Sequence, residues 1–171
     1  MTKMLYQVGW FVGLVLLQTL VLNQMHIGGY ATPFFYIYLI LKMHTRMGRN
    51  ALMLWGFLLG LTVDVFSDTL GMNAAAATCL AFWRTPLLGL VMLRNADEDY
   101  SPGIRSIGAA PFFRYVLLAS ALFCSLLLLM DTFSLFNVPV LLLKMVSSTL
   151  TTVACIFCAE YIGGKRSEKR F

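Results

Sequence analysis

Charge is what this chain has least of. Only 12% of its 171 residues are Asp, Glu, Lys or Arg, about half the roughly 25% usual in a soluble domain. From Met4 to Leu41 there is no charged residue at all. Histidine is nearly absent, with two copies, and no H-E-x-x-H, G-x-S-x-G or phosphate-cradling glycine loop occurs, so the commonest hydrolase and nucleotide signatures are missing. The net charge of +5 comes without a basic patch interleaved with aromatics, which argues against a nucleic-acid partner. Four cysteines, Cys79, Cys124, Cys155 and Cys158, all fall in apolar stretches. The C-x-x-C pair at 155 and 158 lacks a second ligand pair, so all four are read as small buried hydrophobes. No metal or cofactor is expected, and no enzymatic activity.

What is there is hydrocarbon-like surface. Hydrophobic residues make up 59% of the chain and the mean hydropathy is +0.77. Apolar runs over 8–22, 51–63, 74–93, 115–130 and 146–159 approach or reach the length that crosses ~30 Å of bilayer core. Arg84 is the only charge inside them. The first run has the look of a signal peptide, but it is long for one and no A-x-A site follows, so it is read as a retained span.

Punctuation divides the chain. The uncharged stretch from Met4 to Leu41 would be about 57 Å long as helix, enough for two crossings with a tight turn. Asn23-Gln24, Gly28-Gly29 and Pro33 place that turn in its middle. The pattern predicts helices over 5–22, 33–43, 50–66, 72–93, 112–130 and 140–162, with Pro33 in the first turn of the second. Gly163-Gly164 is expected to end the last before a basic tail. The fold class is therefore an all-α bundle of six transmembrane helices, and residues 1–171 form one integral membrane domain.

Charge sets the orientation. Lys3, Lys42, Arg46, Arg49, Arg94, Arg105, Arg114, Lys165, Arg166, Lys169 and Arg170 all fall on one side of such a map, eleven of the thirteen basic residues. The turns on the other side hold none, which places both ends in the cytoplasm. Arg84 and Lys144 remain, within the spans.

Gly56, Gly60 and Asp64 recur every fourth residue and share one helix face. Two glycines at that spacing let a neighbouring helix approach closely, and Asp64 then faces that neighbour. A charge inside the membrane calls for a partner. Depth favours Lys144, about five residues below Pro139, over Arg84, which lies deeper. The recurrence of Lys144, Ser148, Thr151, Cys155 and Ala159 supports an inward polar face on the last helix. Arg84 stands beside Pro86, whose ring frees an upstream carbonyl that an arginine can satisfy. Gly71 opens a run of small residues, and Gly9-x-x-x-Gly13 marks a second packing face. Glu160 is read as an interfacial residue, and the acidic Asp97-Glu98-Asp99 as a solvated loop. The spacing Gly60-x-x-x-Asp64-x-x-x-Asp68 matches half of the aspartate motif of CDP-alcohol phosphotransferases, but the other half is absent and no paired metal site can be assembled.

Gly56-x-x-x-Gly60-x-x-x-Asp64 followed by Asp68-Thr-Leu-Gly71-Met-Asn-Ala-Ala resembles the MreD family of the bacterial rod-shape machinery, and size, six spans and a basic tail agree along the chain. The resemblance implies a non-enzymatic protein of the inner (cytoplasmic) membrane, surrounded by lipid. Its implied partner is MreC, within a complex that includes MreB, RodA and a penicillin-binding transpeptidase. A different six-helix class of this size, the substrate-binding S component of energy-coupling-factor vitamin transporters, is the alternative. Against it, the outer turns are short and poor in groups that would enclose a vitamin.

Overall fold

The computed structural model describes residues 33–69, 71–91, 100–131 and 138–168, together with Gly13. The helix expected over 5–22 lies outside these residues apart from Gly13, as do Gly9 and the acidic run 97–99. Among the described residues the chain is all-helical: α1 (Ile37–Lys42), α2 (Arg49–Ser67), α3 (Met72–Val91), α4 (Ile104–Ile107), α5 (Ala109–Asp131) and α6 (Val138–Glu168). Four of them, α2, α3, α5 and α6, are long and apolar enough to cross a bilayer. Consecutive long helices pack in chain order, α2 on α3, α3 on α5 and α5 on α6.

The packing is inverted relative to a water-soluble domain. Asp64, Asn73, Arg84, Ser120, Ser148, Thr149 and Thr152 are buried, whereas Leu54, Phe57, Leu61, Val65, Leu143, Val146 and Leu150 are exposed. Water would penalise such a surface. Lipid tails do not, because they are as apolar as leucine. The chain is a membrane-embedded, multi-pass helical protein.

Local chemistry ends each helix. Gly48 precedes α2 with extended backbone. At its far end Asp68 adopts the left-handed conformation (φ 55°) and donates its backbone N–H to Asp64 O, a helix-closing turn of the kind aspartate tolerates. Gly71 follows at φ 78°. Its role is thus conformational: a Cβ there would meet nothing within 4 Å, so the packing role expected of it is not found. Gly108, at φ 88°, separates the single turn α4 from α5. The expected stop at Gly163-Gly164 does not occur, and α6 continues to Glu168. Glycine permits a left-handed cap without imposing one, at a helix-interior cost of only ~1 kcal/mol.

The second predicted helix is the one the fold changes most. Of residues 33–43 only Ile37–Lys42 are α-helical, about 9 Å of helix, and Pro33 stands ahead of the first turn rather than in it. The segment is a peg inside the bundle. Phe34, Phe35, Tyr36, Ile37, Tyr38, Ile40, Leu41 and Met43 are all buried. The rings of Phe34 and Tyr36 meet Phe123 of α5 edge-on, at centroid distances of 5.5 and 5.6 Å. Non-helical backbone at this depth needs hydrogen bonds from the protein, and it receives them. The Phe34 N–H donates to Thr152 Oγ1 of α6 at 3.0 Å. Beyond the peg, the Thr45 N–H donates to Tyr100 O at 3.0 Å, tying the loop before α2 to the loop before α4.

Phe123 is fully buried against the peg, whereas Leu129 on the same helix is 55% exposed. Phe123→Ala should therefore cost ~3–5 kcal/mol of stability, and Leu129→Ala well under 1 kcal/mol. Thermal unfolding of the two variants in one detergent checks this, and equal losses would show that the segment is not a core element.

Candidate functional site: a carboxylate clamp in a helical hairpin

The residues with most chemical potential gather where α2 turns into α3. Gly71 precedes α3 and brings no capping side chain, so the first N–H groups of α3 need acceptors from elsewhere. Asp64, one turn before the end of α2, supplies them. Its Oδ2 accepts from the Ala74 N–H at 2.8 Å. Its Oδ1 accepts from the Asn73 N–H at 3.1 Å, from Asn73 Nδ2 at 2.9 Å and from Thr69 Oγ1 at 2.5 Å. The carboxylate also sits at the positive end of the α3 dipole. Asn73 extends the network, since its Oδ1 accepts from the Tyr36 hydroxyl at 2.8 Å. The hairpin is thereby tied to the peg.

The glycines make this reach possible. A Cβ on Gly60 would lie 2.5 Å from Ala74 Cα and 2.7 Å from Ala74 N. One on Gly56 would lie 2.8 Å from Ala77 O and 3.1 Å from Ala81 Cβ. Gly56, Gly60 and Asp64 do form one face, as their spacing predicts, and it packs on Asn73, Ala74, Ala77 and Ala81. Gly13 is different: a Cβ there would meet nothing within 4 Å, so no close approach is found at that position.

The expected Asp64–Lys144 pair does not form, and neither does Asp64–Arg84. The ion pair found among the described residues is elsewhere, between Lys42 and Glu160. Two causes act together. Asp64 meets backbone donors nine and ten residues ahead in its own hairpin, and α6, which carries Lys144, packs on α5 rather than on α2. The buried face of α6 is also turned from the one predicted. Ser148, Thr149, Thr152, Val153 and Ile156 point inward, while Lys144, Thr151 and Cys155 lie half-buried on its edge.

Arg84 is fully enclosed, at 2% exposure, yet it does not serve the carbonyl freed by Pro86. Its Nη2 donates to Met43 O and, at 3.4 Å, to Leu41 O. These carbonyls close the C-terminal end of α1, where a helix leaves acceptors over and favours a cation. Pro86 is exposed, on a different side of α3. Nor is Arg84 as deep as its distance from the hairpin suggested. Gly56 lies against Ala77 and Ala81, so seven residues further along each helix Arg49 and Arg84 share a level, at the basic end of α2.

Sequence reasoning missed a second cluster at that end. Glu160 Oε2 accepts from Lys42 Nζ at 2.6 Å and from the Tyr38 hydroxyl at 2.5 Å. Glu160 is thus a half-buried ion-pair partner at the basic end of the bundle. Its Oε1 comes so near Gly103 that a Cβ there would approach it to 2.7 Å. Cys124 is buried and Cys79 and Cys155 half-buried, as small hydrophobes are, but Cys158 is exposed. No group of three or more His, Cys, Asp or Glu able to hold a metal occurs among the described residues.

Asp64→Ala would orphan the Asn73 and Ala74 N–H groups and should lower stability by ~2–3 kcal/mol. Gly60→Leu should be worse than Gly56→Leu, because the backbone it meets is closer. Because Asp64 and Lys144 make no contact, their alanine variants should add to within about 0.5 kcal/mol in a double-mutant cycle. Coupling well above that would mean the two residues meet after all. Neither a protein-family model, nor a characterised protein, nor a solved structure matches this chain.

Proposed function

We propose that this chain is a non-enzymatic assembly protein of the bacterial rod-shape (elongation) wall-synthesis machinery, an MreD-like partner of MreC in the inner membrane. One observation carries the reading. The residues on which the MreD resemblance rests, from Gly56 to Asp64 and from Asp68 to Ala75, are a single structural unit, the clamped hairpin. Its Asp64, Thr69 and Asn73 side chains are consumed in holding two helices together. Four donors occupy the Asp64 oxygens, which leaves them little to offer a bound cation. That favours a protein whose work is to present a fixed helical surface to MreC, alongside MreB, RodA and a penicillin-binding transpeptidase.

The same reading has six crossings with both ends in the cytoplasm. The peg supports it for the second crossing. Tyr36 reaches Asn73 at the hairpin end of α3, and Met43 meets Arg84, eleven residues and about 16 Å further along. Thr45 then joins the loop before α4. A chain entering near Pro33 at one end and leaving at Thr45 at the other crosses most of the bundle, although only six of its residues are α-helical.

Co-purification tests the partner. The tagged chain, co-expressed with MreC of the same organism, should retain it through detergent extraction, and Gly60→Leu should weaken that retention at least tenfold. Tight binding of a vitamin, with association with transporter ATPase subunits and none with MreC, would favour the S-component class instead. Topology is tested separately. A cysteine introduced at Thr2 should resist membrane-impermeant reagent in intact cells, whereas labelling from outside would defeat the six-span arrangement.

A further inference from the structure

We propose that the basic end of the α2–α3 hairpin binds the phosphate of an anionic phospholipid, with Arg49 as the central ligand and Arg46 as a second. Arg49 is exposed, and its guanidinium lies 4.9 Å from the centroid of the Phe82 ring. A cation–π contact of this kind fixes the plane of the guanidinium without using its N–H donors. Those donors meet no carboxylate among the described residues. A planar fork held in place, its donors unbonded among the described residues, is suited to grip a phosphate through two parallel hydrogen bonds. Arg46, three residues earlier and exposed, adds a second positive charge at the same end.

The surroundings select a lipid over a free phosphate. Arg49 is level with Arg84, at the end of the hairpin that carries the basic residues, where headgroups lie. Trp83, 46% exposed, packs edge-on against Phe82 at 5.9 Å, as tryptophan does at membrane interfaces. From Arg49 the face of α2 continues through Met53, Phe57, Leu61 and Val65, each four residues on. Phe57, Leu61 and Val65 are exposed. A headgroup site thus stands at the foot of an apolar track along which an acyl chain can lie, a feature that a soluble phosphate would have no use for. The site is independent of any MreC-docking role.

The test uses the full chain in vesicles of phosphatidylcholine and phosphatidylglycerol, with retained lipid identified by native mass spectrometry. The wild type should keep phosphatidylglycerol in preference to phosphatidylcholine. Arg49→Gln should cut that preference roughly fivefold, the factor expected for one basic residue near an anionic surface. Arg49→Lys should fall between, because it keeps the charge and loses the fork. Arg46 bonds to no described residue, so Arg46→Gln should leave thermal unfolding unchanged and still reduce the preference. An unchanged preference in Arg49→Gln would overturn the proposal. So would binding of inorganic phosphate that Arg49→Gln abolishes while lipid retention stays the same, which would make this a site for free phosphate.

Discussion

The contact on which most of the described fold depends is that of the Asp64 carboxylate with the opening turn of α3. Near the start of α3 the N–H groups of Asn73 and Ala74 are buried and need acceptors from the protein. Here they are satisfied by a side chain from the helix before. Three other features follow from that one requirement. The chain must reverse within a few residues, which Asp68 and Gly71 permit by adopting positive φ. The two helices must approach to backbone contact, which Gly60 and Gly56 permit. Asn73 must offer both its backbone and its amide to Asp64, and its remaining oxygen then accepts from Tyr36.

Arg84 answers the same problem from the other pole. It closes the C-terminal carbonyls of α1 as Asp64 closes the N-terminal amides of α3. Each buried charge is thus compensated first by a helix terminus, and not by an opposite charge across the bundle. A terminus carries the equivalent of about half a charge and brings several donors or acceptors at fixed positions. It therefore does the work of an ion pair without ordering a second long side chain. The ion pair that does form, Lys42 with Glu160, joins the peg to the last helix at the basic end, where Lys42 is 40% exposed. Asp64 thus pins α3 to α2, Arg84 pins α3 to α1, and Glu160 pins α6 to α1.

How far the sequence foretells this differs from residue to residue. The four long helices are visible as apolar runs because lipid selects for such runs directly. The Gly56–Gly60–Asp64 face is visible because its period of four is local to one helix. What faces Asp64 is not, because depth along a helix leaves its neighbours unspecified, and Lys144 is at a suitable depth on a helix that packs elsewhere. A signal was nevertheless present: Gly71 precedes the fourth predicted helix without offering a capping side chain, so a nearby acid was needed. The Lys42–Glu160 pair spans 118 residues and has no local signature. The peg was legible as a short apolar segment, but the shortening of its helix to Ile37–Lys42 was not, since the flanking backbone is satisfied by Thr152 and Arg84 from helices that enter later in the chain.

That dependence has a consequence for how the chain assembles. Six helical residues give about 9 Å, far short of the ~30 Å of a bilayer core, so α1 cannot be a stable span by itself. The Phe34 and Tyr36 rings just before it meet Phe123, and the free backbone groups at the two ends of the segment are met by Thr152 and Arg84. The peg therefore reaches its final place only once α3, α5 and α6 are in the membrane. Tyr36 then connects it back to Asn73 and the clamp, and Lys42 connects it to the end of α6. A bundle filled by its own earlier segment keeps its polar groups inside and leaves apolar outer faces. Of the four long helices α6 is the least covered by the rest of the chain. What that helix offers to its surroundings is an apolar face that includes Val140, Leu143, Val146 and Leu150.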